Sequence, residues 1–329
     1  MASARIAFGF AGLALIALGE AIGVAADLGP PFPVESLPTS IDVKCKERFL
    51  NEAPAAWKTL GEGLRGIELE HTYVDYRPTD TKEPDREVYS STYCILKDGV
   101  SRRLEREQVI DLMNSRYSFS VRRAVDADAL KPFSLKYCER WRQDAPQPQA
   151  GWIDVAELKL AMFSTISWLP MEKILTDADF QMTGADTRVN DQGDEVVRIV
   201  YRYTADASND FLLQPDGVYW AELRPRRFWV VVRSGITSSM TKHVDTDAPF
   251  RERMTIRYQE WDGVPLPEGV RVEVVDVAKS VVVRIQENRF GPPRACSRPT
   301  EEFFLPHYGL SDDPLPSIPA QCGPPASSP

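Results

Sequence analysis

Residues 67 to 73 read IELEHTY: Ile67, Leu69, His71 and Tyr73 alternate with Glu68, Glu70 and Thr72, a period of two that predicts a strand with one dry face. On this reading His71 is a half-buried strand residue. The pattern returns in YSFSVRR (117–123) and FSLKYCERW (133–141). After residue 179 it resumes, with Val197, Ile199, Tyr201 and Tyr203 on one face and Arg198 and Arg202 on the other, so that one face is dry and one wet. Residues 252–261, 270–278 and 280–290 give three more strands, for about eleven in all.

Two stretches carry a helical period instead. Across residues 42–64, Cys45, Phe49, Leu50, Trp57, Leu60 and Leu64 recur at helical spacing, with Pro54 as a break or restart and Gly61, Gly63 and Gly66 at the end. Across residues 155–175, Val155, Leu158, Met162, Ile166 and Leu169 repeat at three and four, and Pro170 ends or kinks the helix.

Turn chemistry fixes several registers. Asp98-Gly99 predicts a two-residue hairpin loop with φ > 0 at both positions, setting Ile95 opposite Arg102 and Tyr93 opposite Leu104. A short loop at Pro225 and Arg226 sets Leu223 opposite Phe228, Ala221 opposite Val230 and Tyr219 opposite Val232, all apolar pairs. A further turn falls at Asn190–Gly193. In WDGVPLP (261–267), Asp262-Gly263 closes a strand, and Pro265 and Pro267, which cannot donate ladder bonds, hold the connection out of the sheet as a corner.

The ends read differently from the middle. Residues 1–26 carry one basic residue, Arg5, an apolar run from Ile6 to Leu18 that is shorter than the ~20 residues of a membrane span, and Val24 and Ala26 at the positions a signal peptidase reads. A signal peptide over 1–26 is expected, with no stable membrane span after its cleavage, followed by a linker over 27–41. Residues 42–310 read as one domain: helix and first meander over 42–142, inserted helix over 155–175, second meander over 179–305. Residues 311–329, rich in Pro and Ser, read as a disordered tail.

Charge and chemistry mostly exclude. The 329 residues are 43% hydrophobic and 26% charged, with net charge -9, so nothing long-range draws the chain to nucleic acid. GEGLRG (61–66) ends a helix and precedes a strand, the reverse of a dinucleotide fingerprint. No G-x-S-x-G elbow is present, and RPRRFW (224–229) reads as a solubilising turn. Without a C-x-x-C motif, and with His71, His243 and His307 far apart in the chain, neither metal nor cofactor is expected. The pairing of Cys45, Cys94, Cys138, Cys296 and Cys322 stays open, with one exclusion. In a simple meander the strands of Cys94 and Cys138 stand three apart, about 14 Å, against a disulfide limit of about 7 Å.

The order helix, meander, inserted helix, meander after a signal peptide, with the late strand-D-G-x-x-L-P-strand element YQEWDGVPLPEGVRV (258–272), resembles the bacterial lipoprotein-localisation factors of the LolA/LolB-like superfamily. The resemblance implies a mainly β, α+β fold: a strongly curved antiparallel sheet, an open half-barrel with helices covering its concave side. It further implies lipid or lipoprotein acyl chains as partners. No catalytic residue is carried over.

The candidate lining is the aligned apolar set of the second meander: Ile199, Tyr201, Tyr203 and Tyr219, then Leu223, Phe228, Val230 and Val232. The expected function is that of an exported, periplasmic or secreted, non-catalytic binding protein for lipophiles. The alternative is an envelope interaction or structural protein with a filled core, and a third is a secreted hydrolase with His71 or His243 as base. The oligomeric state is open.

Overall fold

The computed structural model describes residues 37–78, 85–124, 132–140, 165–166, 169–190, 192–203, 217–238 and 249–312. The signal segment, His243, Cys322 and most of the expected inserted helix lie outside them.

A helix opens the fold. Asp42 is its N-cap, its side chain accepting from the backbone N–H of Lys44 and Cys45, and α1 (Val43–Gly63) runs unbroken through Pro54. Its buried stripe of Cys45, Phe49, Ala53, Trp57 and Leu60 faces the sheet, and Phe49 meets Trp57 edge-on at 6.1 Å across the proline. Helix packing on both sides of Pro54 offsets the lost hydrogen bond, so the expected break does not occur.

The first meander is β1 (Ile67–Arg77), β2 (Asp85–Ile95), β3 (Arg102–Arg106), β4 (Val109–Met113), β5 (Tyr117–Arg123) and β6 (Phe133–Arg140). β4 is the strand the pattern did not separate, because VIDLM is too short to alternate visibly. The second is β9 (Phe180–Val189), β10 (Glu195–Tyr203), β11 (Val218–Arg224), β12 (Val230–Ser238), β13 (Phe250–Trp261), β14 (Val264–Asp276) and β15 (Val281–Phe290).

Pairing of β1 with β15, His71 opposite Phe290, joins the two meanders into one antiparallel ladder. The sheet has fourteen strands, in the order β6-β5-β4-β3-β2-β1-β15-β14-β13-β12-β11-β10-β9, with β16 (Arg294–Ala295) added on β1. Its two end strands, β6 and β9, do not pair with each other, so the sheet is open. At β9 the edge is partly occupied by residues expected in a linker: Ala185 N–H donates to Ser40 O and Asp42 N–H to Ala185 O.

Between the meanders, Thr165–Ile166 (β7) pairs antiparallel with Leu169–Pro170 (β8), and only Met171–Leu175 (α2) is helical. The helix expected through residue 175 therefore does not run over 165–170. Pro170 precedes the short helix rather than ending a long one, a position its fixed φ suits.

Three turn expectations meet the structure differently. The Asp98-Gly99 hairpin has the expected register, Ile95 opposite Arg102 and Tyr93 opposite Leu104, but only Gly99 takes a positive φ, of 70°. Asp98 instead caps the loop, its carboxylate accepting from the N–H of Val100 and Ser101.

The Asp262-Gly263 turn is a two-residue hairpin with φ of 49° and 78°, and the following prolines lie inside β14, Pro265 opposite Glu260 and Pro267 opposite Tyr258. The corner reading is thus corrected. Val264 and Leu266 face their N–H groups to β13, so Pro265 and Pro267 lack donors only on the far side, where β15 begins at Gly269.

The Pro225 loop is longer than expected. Pro225–Arg227 makes a 3-10 turn, Phe228 and Trp229 follow with φ of 56° each, and a bulge displaces Val232. Leu223 therefore faces Val231, Ala221 faces Ser234 and Tyr219 faces Ile236, in place of Phe228, Val230 and Val232.

Two cores result. The larger lies on the face packed by α1, here the inner face, and joins α1 to β1, β2 and β9–β15. The smaller lies on the outer face of β2–β6, where Tyr117, Phe119 and Val121 are covered by Phe303, Leu305 and Tyr308 of two 3-10 turns. A disulfide between Cys94 and Cys296, with Cα atoms 6.3 Å apart, ties this C-terminal segment to β2. Cys138 is buried, and because Cys94 pairs with Cys296, Cys94 and Cys138 are not bonded to each other, as expected. Asp312, assigned to the tail, accepts from the Tyr117 hydroxyl at 2.6 Å and from Arg116.

Candidate functional site

Register and alternation assign the inner face strand by strand. On β10 and β11 it carries Val197, Ile199, Tyr201, Tyr203, Tyr219, Ala221 and Leu223. The structure thus brings five of the eight candidates, Ile199, Tyr201, Tyr203, Tyr219 and Leu223, onto one surface, with Tyr201 stacked on Tyr219 at 5.3 Å. All five are buried, the most exposed being Tyr203 at 8%. Val230 is buried as well, whereas Phe228 and Val232 lie half-buried at the turn and the bulge, packed against the same core. The opposite face of β10 is not simply wet: Arg198 is buried and ion-paired with Asp186.

Helix α1 meets this surface at Trp229, besides the ion pair of Arg48 with Glu195 of β10. The Trp57 Nε1–H donates to the carbonyl oxygen of Trp229 at 2.9 Å, and the Trp229 Nε1–H donates to Glu52 at 3.2 Å. Phe49 packs on the Trp229 ring at 5.8 Å, and the Arg48 guanidinium lies over it at 5.4 Å. Trp229 reaches α1 because it and Phe228 both take the left-handed conformation, uncommon for bulky residues.

Polar atoms interrupt the apolar surface. Among the described residues, the Tyr201 hydroxyl and Ser234 Oγ are buried without a hydrogen-bond partner. Glu252 sits on the inner face of β13 between Ile236 and Val274 laterally, with Phe250 and Met254 two residues away on either side. Among the described residues its carboxyl has no hydrogen bond or ion pair, and burial pushes it up to about 7 against the opposing charge of Arg284.

Beyond β14 one end of the face turns polar, with Arg284, Gln286 and Asn288 on β15 and His71, Tyr73 and Asp75 on β1, while Phe290, Ile67 and Leu69 keep the other end in the apolar core. Burial raises the Asp75 carboxyl, but the Arg284 guanidinium and hydrogen bonds from Tyr73 and Gln286 outweigh it and hold it below the usual carboxylate range. Burial, with Asp75 beside it, pushes the Tyr73 hydroxyl up to about 12.

His71 lies between Ser91 Oγ, 3.1 Å from its Nδ1, and Asn288 Oδ1, 3.0 Å from its Nε2, and stacks on Phe290 at 5.0 Å. Because an amide oxygen only accepts, Nε2 carries the proton and Nδ1 accepts from Ser91. A serine nucleophile also needs N–H donors for the developing oxyanion. The backbone around Ser91 pairs with both β1 and β3, so this arrangement orients His71 rather than building a hydrolytic centre.

This polar row was missed because Ser91, His71 and Asn288 meet only through the β1–β15 pairing, His71 and Asn288 being 217 residues apart. Glu252 did leave a signal: it takes an alternate position between Phe250, Met254 and Ile256, a charge inside a dry period-two face.

Among the described residues, the one candidate metal group is Glu68 with Cys94 and Cys296, whose thiols are bonded to each other while the carboxylate is held by Arg294 and Arg298.

No family model matches the chain, and no curated protein does. Among solved structures it is similar to a DUF1329 family protein from Desulfovibrio piger, with 11% identity and a TM-score of 0.36 over 79% of this chain and 99% of that one. A LolA superfamily protein from Nitrosomonas europaea has 8% identity and a TM-score of 0.36 over 78% and 99%. An outer membrane lipoprotein-sorting protein domain from Vibrio parahaemolyticus has 9% identity and a TM-score of 0.41 over 80% and 98%.

Proposed function

We propose that the chain is an exported, non-catalytic binding protein that holds a lipophile, the acyl chain of a lipid or lipoprotein, against the inner face of its open sheet. The observation that carries this reading is the make-up of that face. It is aliphatic and aromatic across β9–β14, yet it holds the unpartnered Tyr201 hydroxyl and Ser234 Oγ and the isolated carboxyl of Glu252. A surface that only filled a core would leave such groups out, since each buried polar atom without a partner costs about 1–3 kcal/mol.

The concave half-barrel is part of this proposal, with α1 as the cover that moves. Since Ile199, Tyr201, Tyr219 and Leu223 are buried in the core that α1 joins, a ligand reaches them as α1 swings away from its attachment at Trp229. Entry begins at half-buried residues of the same core, Phe180, Phe228, Val232 and Tyr258. The Cys94–Cys296 bridge supports export, because disulfides persist in oxidising compartments. Among the described residues no helix is long and apolar enough to cross a membrane.

A second reading, an envelope interaction protein with a filled core, is favoured by the packing of Phe49, Trp57 and Trp229. Titration with a fluorescent acyl-chain probe separates the two. Saturable binding that a natural lipid mixture reverses supports the carrier, and no binding up to the solubility limit of the probe supports the filled core.

A further inference from the structure

Across the inner face, the β14 positions Val270, Val272 and Val274 sit beside Asn288, Gln286 and Arg284 of β15, and Asn288 and Gln286 sit beside Tyr73 and Asp75 of β1. At this end of the strands the apolar surface thus gives way to a polar border, while Phe290, Leu69 and Ile67 continue it at the other end. Asn288 stands on that border, 1% exposed. Its Oδ1 lies 3.0 Å from His71 Nε2 and accepts from it. Among the described residues its Nδ2 is a buried donor without a partner.

We propose that Asn288 Nδ2 donates a hydrogen bond to the carbonyl oxygen of an ester- or amide-linked acyl chain, so that the ligand is an acylated molecule rather than a free fatty acid. This rests on the lipophile-binding reading above and narrows it. Three observations choose the ligand class. The unpartnered group is a donor, so the ligand atom is an acceptor. The apolar neighbours Val270 and Ile256, in line with Asn288 on β14 and β13, give the hydrocarbon beyond that carbonyl a continuous path across the second meander.

Third, charge at the border disfavours an anion. Arg284 is taken up by Asp75, whose carboxylate also accepts from Tyr73, and Glu252 on the same face has no counterion among the described residues. With Arg284 so engaged, a free carboxylate or a phosphate would enter without a counter-charge from it, whereas a neutral carbonyl needs none.

The experiment compares 1-palmitoylglycerol with palmitate as displacers of a fluorescent acyl probe at pH 8, on wild type, Asn288→Asp and Asn288→Leu, with a thermal melt of each protein. Asn288→Asp keeps an acceptor for His71 and removes the donor. The expected result is that the ester displaces the probe from wild type at about tenfold lower concentration than the acid, and that the ester loses about tenfold in potency in both variants.

Equal potency of ester and acid on wild type overturns the inference while leaving the carrier reading intact, as does undiminished ester potency in a folded Asn288→Asp protein. If the probe does not bind at all, the carrier reading itself fails. Should Asn288→Leu melt too low to assay, Asn288→Asp alone decides.

Discussion

The indole N–H of Trp57 donates to the main-chain oxygen of Trp229 across 2.9 Å, joining the middle of α1 to the aromatic turn between β11 and β12. The donor is on the helix and the acceptor on a turn whose two aromatic residues hold a conformation such side chains seldom adopt, so the attachment constrains both elements. Trp57→Phe keeps the ring packing and removes the bond. It should destabilise the protein by about 1–2 kcal/mol, because Trp229 O loses a buried donor, and should speed probe entry in stopped-flow. Unchanged entry with lowered stability would assign α1 a purely structural role.

Tyr201→Phe should have the opposite sign. The Tyr201 hydroxyl is fully buried, stacks its ring on Tyr219 and has no hydrogen-bond partner, so removing it relieves a desolvation cost. Ligand-free protein should gain about 1 kcal/mol in denaturant unfolding. A loss of that size would mean that the hydroxyl is satisfied in solution.

Glu252 gives a pH dependence. Its folded-state value, about 7, lies above its ordinary value of 4.5, so the folded form holds the proton more tightly. Its contribution to stability is fully present below about pH 4.5 and is lost as pH rises through 7. Glu252→Gln should therefore match wild type in melting temperature at pH 4 and exceed it at pH 8. A difference constant with pH would show that the carboxyl is hydrated.

The C-terminal cover on the outer face depends on one covalent link. Cys296→Ala should cost about 2–4 kcal/mol, since the bridge closes a loop of 202 residues, and should raise hydrogen exchange over residues 300–308. Exchange unchanged there would mean that the non-covalent contacts suffice, among them Asn114 Nδ2 to Phe303 O at 2.7 Å.

Local chemistry made much of the fold legible. Alternation found β1, β5, β6 and β10, and the Asp98-Gly99 loop carried the β2–β3 register because a short hairpin leaves no freedom to slip. Where the connection lengthened, at Pro225–Trp229, the sequence misled: no residue type there announces two successive left-handed aromatics, and the register moved with them. Pro265 and Pro267 misled for the converse reason, since a proline whose missing donor faces away from the neighbouring strand costs the ladder nothing.

The candidate apolar lining was legible as a face, five of its eight residues lying together, because period two is local. The border at Asn288 was not, since it exists only once β1 and β15 pair.

The central claim, that the inner face takes a lipophile, is tested most directly by native mass spectrometry of the protein purified from its own host without detergent. The account predicts a population heavier than the polypeptide by the mass of an acylated molecule, released on denaturation and absent from protein stripped with organic solvent. A single species at the polypeptide mass, from protein that also fails to take up an acyl probe, would contradict it.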